Sequence, residues 1–104
     1  MSDEKSWGAA PFTVNPEAAD PFTIRPKGRT RWALECLMLA GAKGCTPITT
    51  PGPRWSDYVF KLRGMGVLIE TVHEGHGGAF PGHHARYVLR SRVSRGAAQR
   101  GEAA

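Results

Sequence analysis

The sequence predicts a small α+β fold in which helices precede a C-terminal β-hairpin. Apolar residues recur at helical spacing in two segments, residues 30–41 and 53–65. Two later segments, residues 67–73 and 85–91, are rich in β-branched and aromatic residues and flank the glycine-rich segment 74–84. We therefore expect two well-defined helices followed by two antiparallel strands with a flexible loop between them.

Both helices are expected to bury one apolar face. In the first helix, Thr30 is placed as the N-cap, and Leu34 and Leu37 follow at helical spacing. In the second helix, Trp55, Val59 and Leu62 share a face at positions i, i+4 and i+7. Glycines close each helix at its C-terminal end.

A third, very short helix or an ordered turn is expected between them, at residues 45–52 with the sequence CTPITTPG. Thr46 followed by Pro47 fits an N-cap and a first helical position. The Pro-Gly pair at the end of the segment stops a helix after about one turn. Ile48 is the expected core anchor of this segment.

Alternation along the last strand predicts which side chains face the core. Tyr87 and Leu89 are expected to point inward, whereas Arg86, Val88 and Arg90 point outward. Together with the helix faces, this pattern predicts that the following residues are buried: Leu34, Leu37, Trp55, Val59, Leu62, Ile69 and Leu89.

The other segments are expected to flank a single domain. A chain of 104 residues is the size of one domain, which we place at residues 25–92. We expect residues 1–24 to form an acidic, Pro-rich N-terminal arm and residues 93–104 a flexible basic tail. Pro-Phe-Thr followed by Val or Ile occurs at residues 11–14 and 21–24. The first copy is expected to be a flexible or loosely docked arm, and the second to pair with a later strand as a sheet edge.

Charge is unevenly distributed along the chain. Residues 1–24 carry a net charge of −3, and residues 25–104 carry a net charge of +8. A basic body favours a polyanionic partner such as nucleic acid, although the same charge also serves solubility. The sequence has no apolar run long enough for a transmembrane helix and no N-terminal secretion signal. We therefore expect no membrane contact and a cytoplasmic location.

The order of these elements is typical of a winged helix-turn-helix domain, whose later helix enters the DNA major groove beside the hairpin, or wing. The strings WALECLMLAGAKGCTPI, PGPRWSDYVFKLRGMGVLIET and HARYVLRS carry a resemblance to a known family. Between residues 29 and 92 the chain resembles the small winged helix domain proteins of bacteria and their prophages. The resemblance implies a winged helix-turn-helix fold with three helices, the second very short, and a C-terminal β-hairpin wing.

A domain of this kind is expected to bind double-stranded DNA, as a transcriptional regulator or an architectural factor. The outer face of the second long helix carries Arg54, Ser56, Asp57 and Lys61. Arginine pairs with guanine in two hydrogen bonds and lysine contacts phosphate. Asp57 either accepts a hydrogen bond from cytosine or pairs with a nearby cation. Arg63 points elsewhere on the helical wheel, and it either contacts DNA or fastens the turn before the wing.

The wing and its second strand supply the other candidate DNA contacts, which are His76, His83, Arg86 and Arg90. A zinc site is the alternative for the histidines of this region. No cysteine lies nearby, and the adjacent His83 and His84 diverge in an extended strand. We therefore expect no metal site.

Catalysis is not expected. The sequence shows no grouping of nucleophile, base and orienting residue, and the glycines at 75–78 do not precede a helix as a phosphate-binding loop would. Cys36 and Cys45 are expected to be free thiols. We expect no enzyme activity and no cofactor. The alternative to DNA binding is a protein-interaction module that docks a partner through Phe60. The sequence leaves undecided whether the chain forms a homodimer.

Overall fold

The computed structural model describes residues 7–52, 54–76 and 82–98, which form two antiparallel sheets and two α-helices. In chain order, the elements are β1 (Phe12–Asn15), β2 (Phe22–Ile24), α1 (Gly28–Ala40), a 3-10 helix (Gly41–Lys43), α2 (Trp55–Gly64), β3 (Ile69–His76), β4 (Gly82–Leu89) and β5 (Arg92–Arg95). The expected mixed α/β architecture is confirmed. The expectation of three α-helices is wrong, because the described residues contain two.

The segment between the helices forms a single hydrogen-bonded turn. The Thr46 hydroxyl accepts from the amides of Ile48 and Thr49 at 3.1 and 2.9 Å, and Thr50 N–H donates to the Thr46 carbonyl at 2.8 Å. The next residue, Pro51, has no N–H to continue the ladder. Ile48 is 56% exposed, so its expected role as a core anchor is wrong. In this turn the side chain of Ile48 points outward, and Thr46 is the residue that is buried.

The described part of the N-terminal segment, residues 7–24, contains two paired strands and is not an arm. β1 is the central strand of a three-stranded sheet in the order β2-β1-β5, and it pairs antiparallel with both neighbours. Phe12 and Val14 are each 1% exposed. The expectations of a loosely docked first copy and of a flexible tail from residue 93 are therefore wrong for β1 and β5. The second copy does form a sheet edge, but its partner is the first copy.

Helices α1 and α2 supply half of the buried hydrophobic cluster, and strands of both sheets supply much of the rest. Leu34 and Leu37 of α1 and Leu62 of α2 are completely buried. Of the expected core, Trp55, Val59 and Ile69 are buried as well, and Leu89 is half-buried against the cluster. Neither described helix has the length and apolar character needed to cross a lipid bilayer.

Helix α1 begins two residues before its expected start. Its N-cap is Lys27, in an extended conformation and without a side-chain capping bond, and Thr30 lies inside the first turn. The placement of Thr30 as N-cap is therefore wrong. Gly28, with φ of +61°, makes the turn into the helix.

The second sheet is a long ribbon of β3 and β4, which pair antiparallel from Ile69 with Leu89 to His76 with Gly82. The expected pairing is confirmed, and it extends into the segment expected to be loop. Cys45 adds a bridge to Tyr87 on the outer side of β4, with N–O distances of 2.9 and 2.8 Å. Gly44 precedes this bridge with φ of +69°, and a Cβ there would lie 2.5 Å from the Tyr87 carbonyl oxygen.

Val88 is 3% exposed, so its expected outward orientation is wrong. The backbone at Gly44 packs against the face of β4 that carries Val88. A Cβ added at Gly44 would lie 2.9 Å from Val88 Cγ2. Tyr87 on the opposite face is also buried, as expected. Both faces of β4 are thus packed near its C-terminal end.

Candidate nucleic-acid interface

The outer face of α2 is exposed along its length. Trp55, Tyr58, Val59 and Leu62 face the core. On the opposite side Ser56, Phe60, Lys61 and Gly64 are exposed, and Asp57 is half-buried. The face that the sequence assigned to a partner is therefore open, with Phe60 at its centre and 75% exposed.

Arg54 occupies the N-cap of α2 in the left-handed conformation, with φ of 62° and ψ of 43°. It is the one described non-glycine residue with a positive φ. Its carbonyl accepts from the amides of Asp57 and Tyr58 at 2.9 and 3.3 Å, which starts the helix. Its exposed side chain has no hydrogen bond or ion pair with a described residue, so the guanidinium is available to a ligand.

Lys61 and Asp57 form an ion pair along α2. Lys61 Nζ lies 3.3 Å from Asp57 Oδ2, and the two side chains are 56% and 40% exposed. An exposed pair at i, i+4 is weak, so the lysine can exchange this carboxylate for a phosphate. Of the two interpretations of Asp57, the pairing with a nearby cation is the one seen here.

Arg63 joins the end of α2 to the first residues of β3. Its Nη2 donates to the Ile69 carbonyl at 2.7 Å and to Thr71 Oγ1 at 2.8 Å, and its Nε donates to the same carbonyl at 3.3 Å. This side chain therefore fastens the ribbon to the helix, which was one of its two expected roles.

Arg86 is engaged within the ribbon. Its Nε and Nη2 donate to the two carboxylate oxygens of Glu74 at 2.6 and 3.0 Å, and its Nη1 donates to the Lys43 carbonyl at 2.6 Å. The Arg86 guanidinium holds the pKa of Glu74 below its usual value, with His84 Nε2 as a second partner at 3.1 Å. Arg86 thus ties the ribbon to the end of the 3-10 helix.

Arg90 follows β4 and pairs with Glu70 of β3, with Nε donating to Oε1 at 2.8 Å. Both side chains are about half exposed, so this pair is also weak. His76 and His83 take part in the backbone ladder at the far end of the ribbon, opposite Gly82 and Gly75 respectively. Their side chains lie outside the described part of the structure.

Two cations that are not among the predicted DNA contacts lie at the start of α1. Lys27 and Arg29 are exposed, and neither has an acidic partner among the described residues. A signal for them was present, because residues 25–31 read RPKGRTR, the densest basic run in the chain. This run lies outside α2 and the hairpin, where a winged helix-turn-helix domain is expected to contact DNA.

The two cysteines are free, and burial changes the acidity of both thiols. Burial raises the pKa of the Cys36 thiol to about 11, and burial also raises the pKa of Cys45. Both thiols are therefore protonated near neutral pH. The described residues contain no cluster of three or more His, Cys, Asp or Glu side chains suited to a metal ion.

Comparison with known proteins assigns the fold to a family. The model of a family described as winged helix domain matches residues 23–99, a span that runs from β2 past β5. Comparisons with curated proteins and with solved structures give no match. Because the family model covers most of the chain, the protein belongs to the winged helix domain family.

Proposed function

We propose that the protein binds duplex DNA, with the outer face of α2 in the major groove and the β3–β4 ribbon as the wing beside it. Arg54 is the observation that carries the proposal. It is an exposed cation at the N-terminal end of α2, and its side chain has no partner among the described residues. In helix-turn-helix domains, the N-terminal residues of the recognition helix are those that contact base edges.

Rigid attachment of the ribbon supports this docking geometry. Arg63 fastens β3 to the end of α2, and Trp55 packs the start of α2 against β4. The two candidate DNA-contacting elements are therefore held at both ends of the helix. Because Arg86 is held by Glu74 and by the Lys43 carbonyl, the wing would approach DNA with its far end, where His76 and His83 lie, and Arg90 could contribute only by leaving its weak pair with Glu70.

The role that follows is that of a transcriptional regulator or an architectural factor of bacterial or prophage origin, acting in the cytoplasm by binding and not by catalysis. The excess of positive charge in residues 25–104 suits a phosphate backbone. A single small domain buries a limited DNA interface, so a homodimer or a protein partner would provide the remaining specificity.

A gel-shift experiment with a pool of random duplexes tests this proposal. We expect retarded complexes at low salt that weaken when the salt concentration is raised, since phosphate contacts release counterions. The control variant is Arg92→Gln, which removes an exposed cation that does not belong to α2. Absence of any complex with the folded protein at low salt would overturn the proposal.

One observation favours a second function, the docking of a partner protein through the same face. Phe60 is 75% exposed in the middle of α2, and aromatic side chains are enriched at protein interfaces. The variant Phe60→Ala separates the two functions. Under DNA binding, we expect duplex affinity to change by less than about twofold, because the DNA contacts assigned here come from cationic side chains and not from this ring. Under docking, the variant binds the partner protein more weakly, with a loss of binding free energy of about 2 kcal/mol or more, as for an aromatic anchor.

A further inference from the structure

We infer that the groove between the start of α1 and the flank of α2 is a phosphate-binding site, and that it holds one backbone phosphate of the DNA on which α2 docks. This inference rests on the proposed DNA binding and adds a second contact surface to it. The groove, here called the α1 groove, has a volume of about 410 Å³ and is lined by Trp7, Lys27, Arg29, Thr30, Tyr58 and Lys61 among others.

The charge of the α1 groove suits an anion. Three of its lining side chains, Lys27, Arg29 and Lys61, are cationic, and none of the described residues that line it is acidic. Lys27 and Arg29 have no acidic partner among the described residues. Lys61 contributes from α2, where it makes the weak ion pair with Asp57. A phosphate here would therefore meet cations from both helices.

The backbone at the start of α1 offers hydrogen bonds in the same place. Gly28 N–H donates to the Trp7 carbonyl at 2.5 Å, but the amides of Arg29 and Thr30 donate to no described residue. The helix has no side-chain cap and no acidic residue in its first turn. Free amides and the positive end of a 13-residue helix dipole both attract an anion.

Thr30 provides an independent observation. It is 8% exposed and lines the α1 groove, yet its hydroxyl makes no hydrogen bond with any described residue. Buried hydroxyls normally have a partner, and no buried polar side-chain atom of the described residues is fully shielded without one. The Thr30 hydroxyl therefore keeps some accessible surface, and because Thr30 lines the groove, the hydroxyl can donate to a phosphate oxygen bound there.

The location of the α1 groove connects it with the proposed interface. Tyr58 and Lys61, which line it, belong to α2, and Lys61 stands at the edge of the outer face. A duplex that lies along this face therefore brings its backbone to the groove. Phosphate contacts of this kind fix the register of a recognition helix without reading sequence.

Nuclear magnetic resonance with the full chain and inorganic phosphate as the probe tests the site itself. We expect saturable shifts of the amide signals of Arg29 and Thr30, which Thr30→Val and Arg29→Gln weaken. Arg92→Gln, which removes an exposed cation outside the groove, should leave them unchanged. Arg29 is exposed, so Arg29→Gln carries the test even if Thr30→Val fails to fold. Absence of a saturable shift at either amide would overturn the site.

Duplex binding by the same variants tests the source of the phosphate. We expect Arg29→Gln to lower the log–log salt slope by about one unit, and Thr30→Val to lower affinity about tenfold through the lost bond to a charged group. If the variants bind phosphate less tightly but DNA as tightly as Arg92→Gln does, the groove holds free phosphate and the inference is wrong. If the wild-type chain binds no duplex, the proposed function itself fails.

Discussion

Trp55, the first residue of α2, stacks on Tyr87 of β4, with ring centroids 6.0 Å apart and ring planes inclined by 18°. Trp55 Nε1 also donates to the Thr50 carbonyl at 2.7 Å, and Trp32 of α1 lies 5.5 Å away between centroids. One side chain therefore joins both helices, the inter-helical turn and the ribbon. The orientation of the outer face of α2 relative to the ribbon depends on this contact.

Shortening this side chain should therefore weaken the whole domain. Trp55→Ala is expected to lower the free energy of unfolding by about 3–5 kcal/mol, as other large-to-small core changes do. Trp55→Phe keeps an aromatic ring but loses the indole N–H that donates to Thr50. We expect a cost of about 1–3 kcal/mol in the free energy of unfolding, because the Thr50 carbonyl is left without a partner. Urea denaturation gives both values. A loss below about 1 kcal/mol for Trp55→Ala would contradict the assigned packing.

Two leucines on α1 offer a matched comparison of core and surface. Leu37 is completely buried and Leu39 is 86% exposed. We expect Leu37→Ala to cost about 2–5 kcal/mol and Leu39→Ala to stay within about 0.5 kcal/mol of the parent. Thermal and urea unfolding measure both. Equal costs for the two changes would mean that the helix faces are assigned wrongly.

Glu35 should make stability depend on pH in the acid range. The hydrogen bond from Arg95, with a smaller contribution from Arg31, lowers the pKa of this carboxyl, which joins α1 to β5. A lowered folded pKa means that the stabilisation is present above the unfolded value of 4.5 and is lost as pH falls through the folded value.

Denaturation curves recorded between pH 7 and pH 2 would measure this effect. We expect Glu35→Gln to be less stable than the parent near pH 7 and to lose less of its stability on acidification. Glu17→Gln, at an exposed position with no ion pair among the described residues, is the control and should behave like the parent. A Glu35→Gln variant with the parent's acid dependence would contradict the ion-pair assignment.

Arg54 combines backbone strain with an unpaired charge, and substitution can separate the two. The left-handed conformation costs a non-glycine residue about 1–2 kcal/mol, so Arg54→Gly should raise the free energy of unfolding by about 0.5 kcal/mol after the greater entropy of the unfolded glycine is allowed for. Arg54→Ala keeps the strain and should not gain stability. We expect both variants to bind duplex DNA less tightly. A stabilised Arg54→Gly with undiminished DNA affinity would exclude Arg54 as a contact.

Local patterns in the sequence were sufficient for the elements whose partners lie close along the chain. The faces of α2 follow from the spacing of Trp55, Val59 and Leu62, and the pairing of β3 with β4 follows from two β-prone segments around a glycine-rich loop. The exposed position of Arg54 also follows from its place on the helix. Its left-handed conformation does not, because arginine has no preference for it.

The missed features depend on contacts between distant residues. Val14 of β1 pairs with Val93 of β5, and no local signal connects two short segments at opposite ends of the chain. The burial of Val88 depends in the same way on the approach of Gly44. The placement of Thr30 as N-cap was wrong because it relied on a residue preference alone, and the helix starts earlier, after the Lys27–Gly28 turn. The α1 groove needed the fold, because it joins residues from three separate segments.

The central claim, that the outer face of α2 contacts duplex DNA, is tested most directly by fluorescence anisotropy of a labelled duplex across a salt series. The test protein is the double variant Arg54→Gly with Lys61→Gln, and the control is Arg25→Gln with Arg92→Gln, which removes two other exposed cations. We predict that the test variant binds at least about tenfold more weakly than the control, with a log–log salt slope lower by about one unit or more. Equal affinities and equal slopes for the two double variants would contradict the claim.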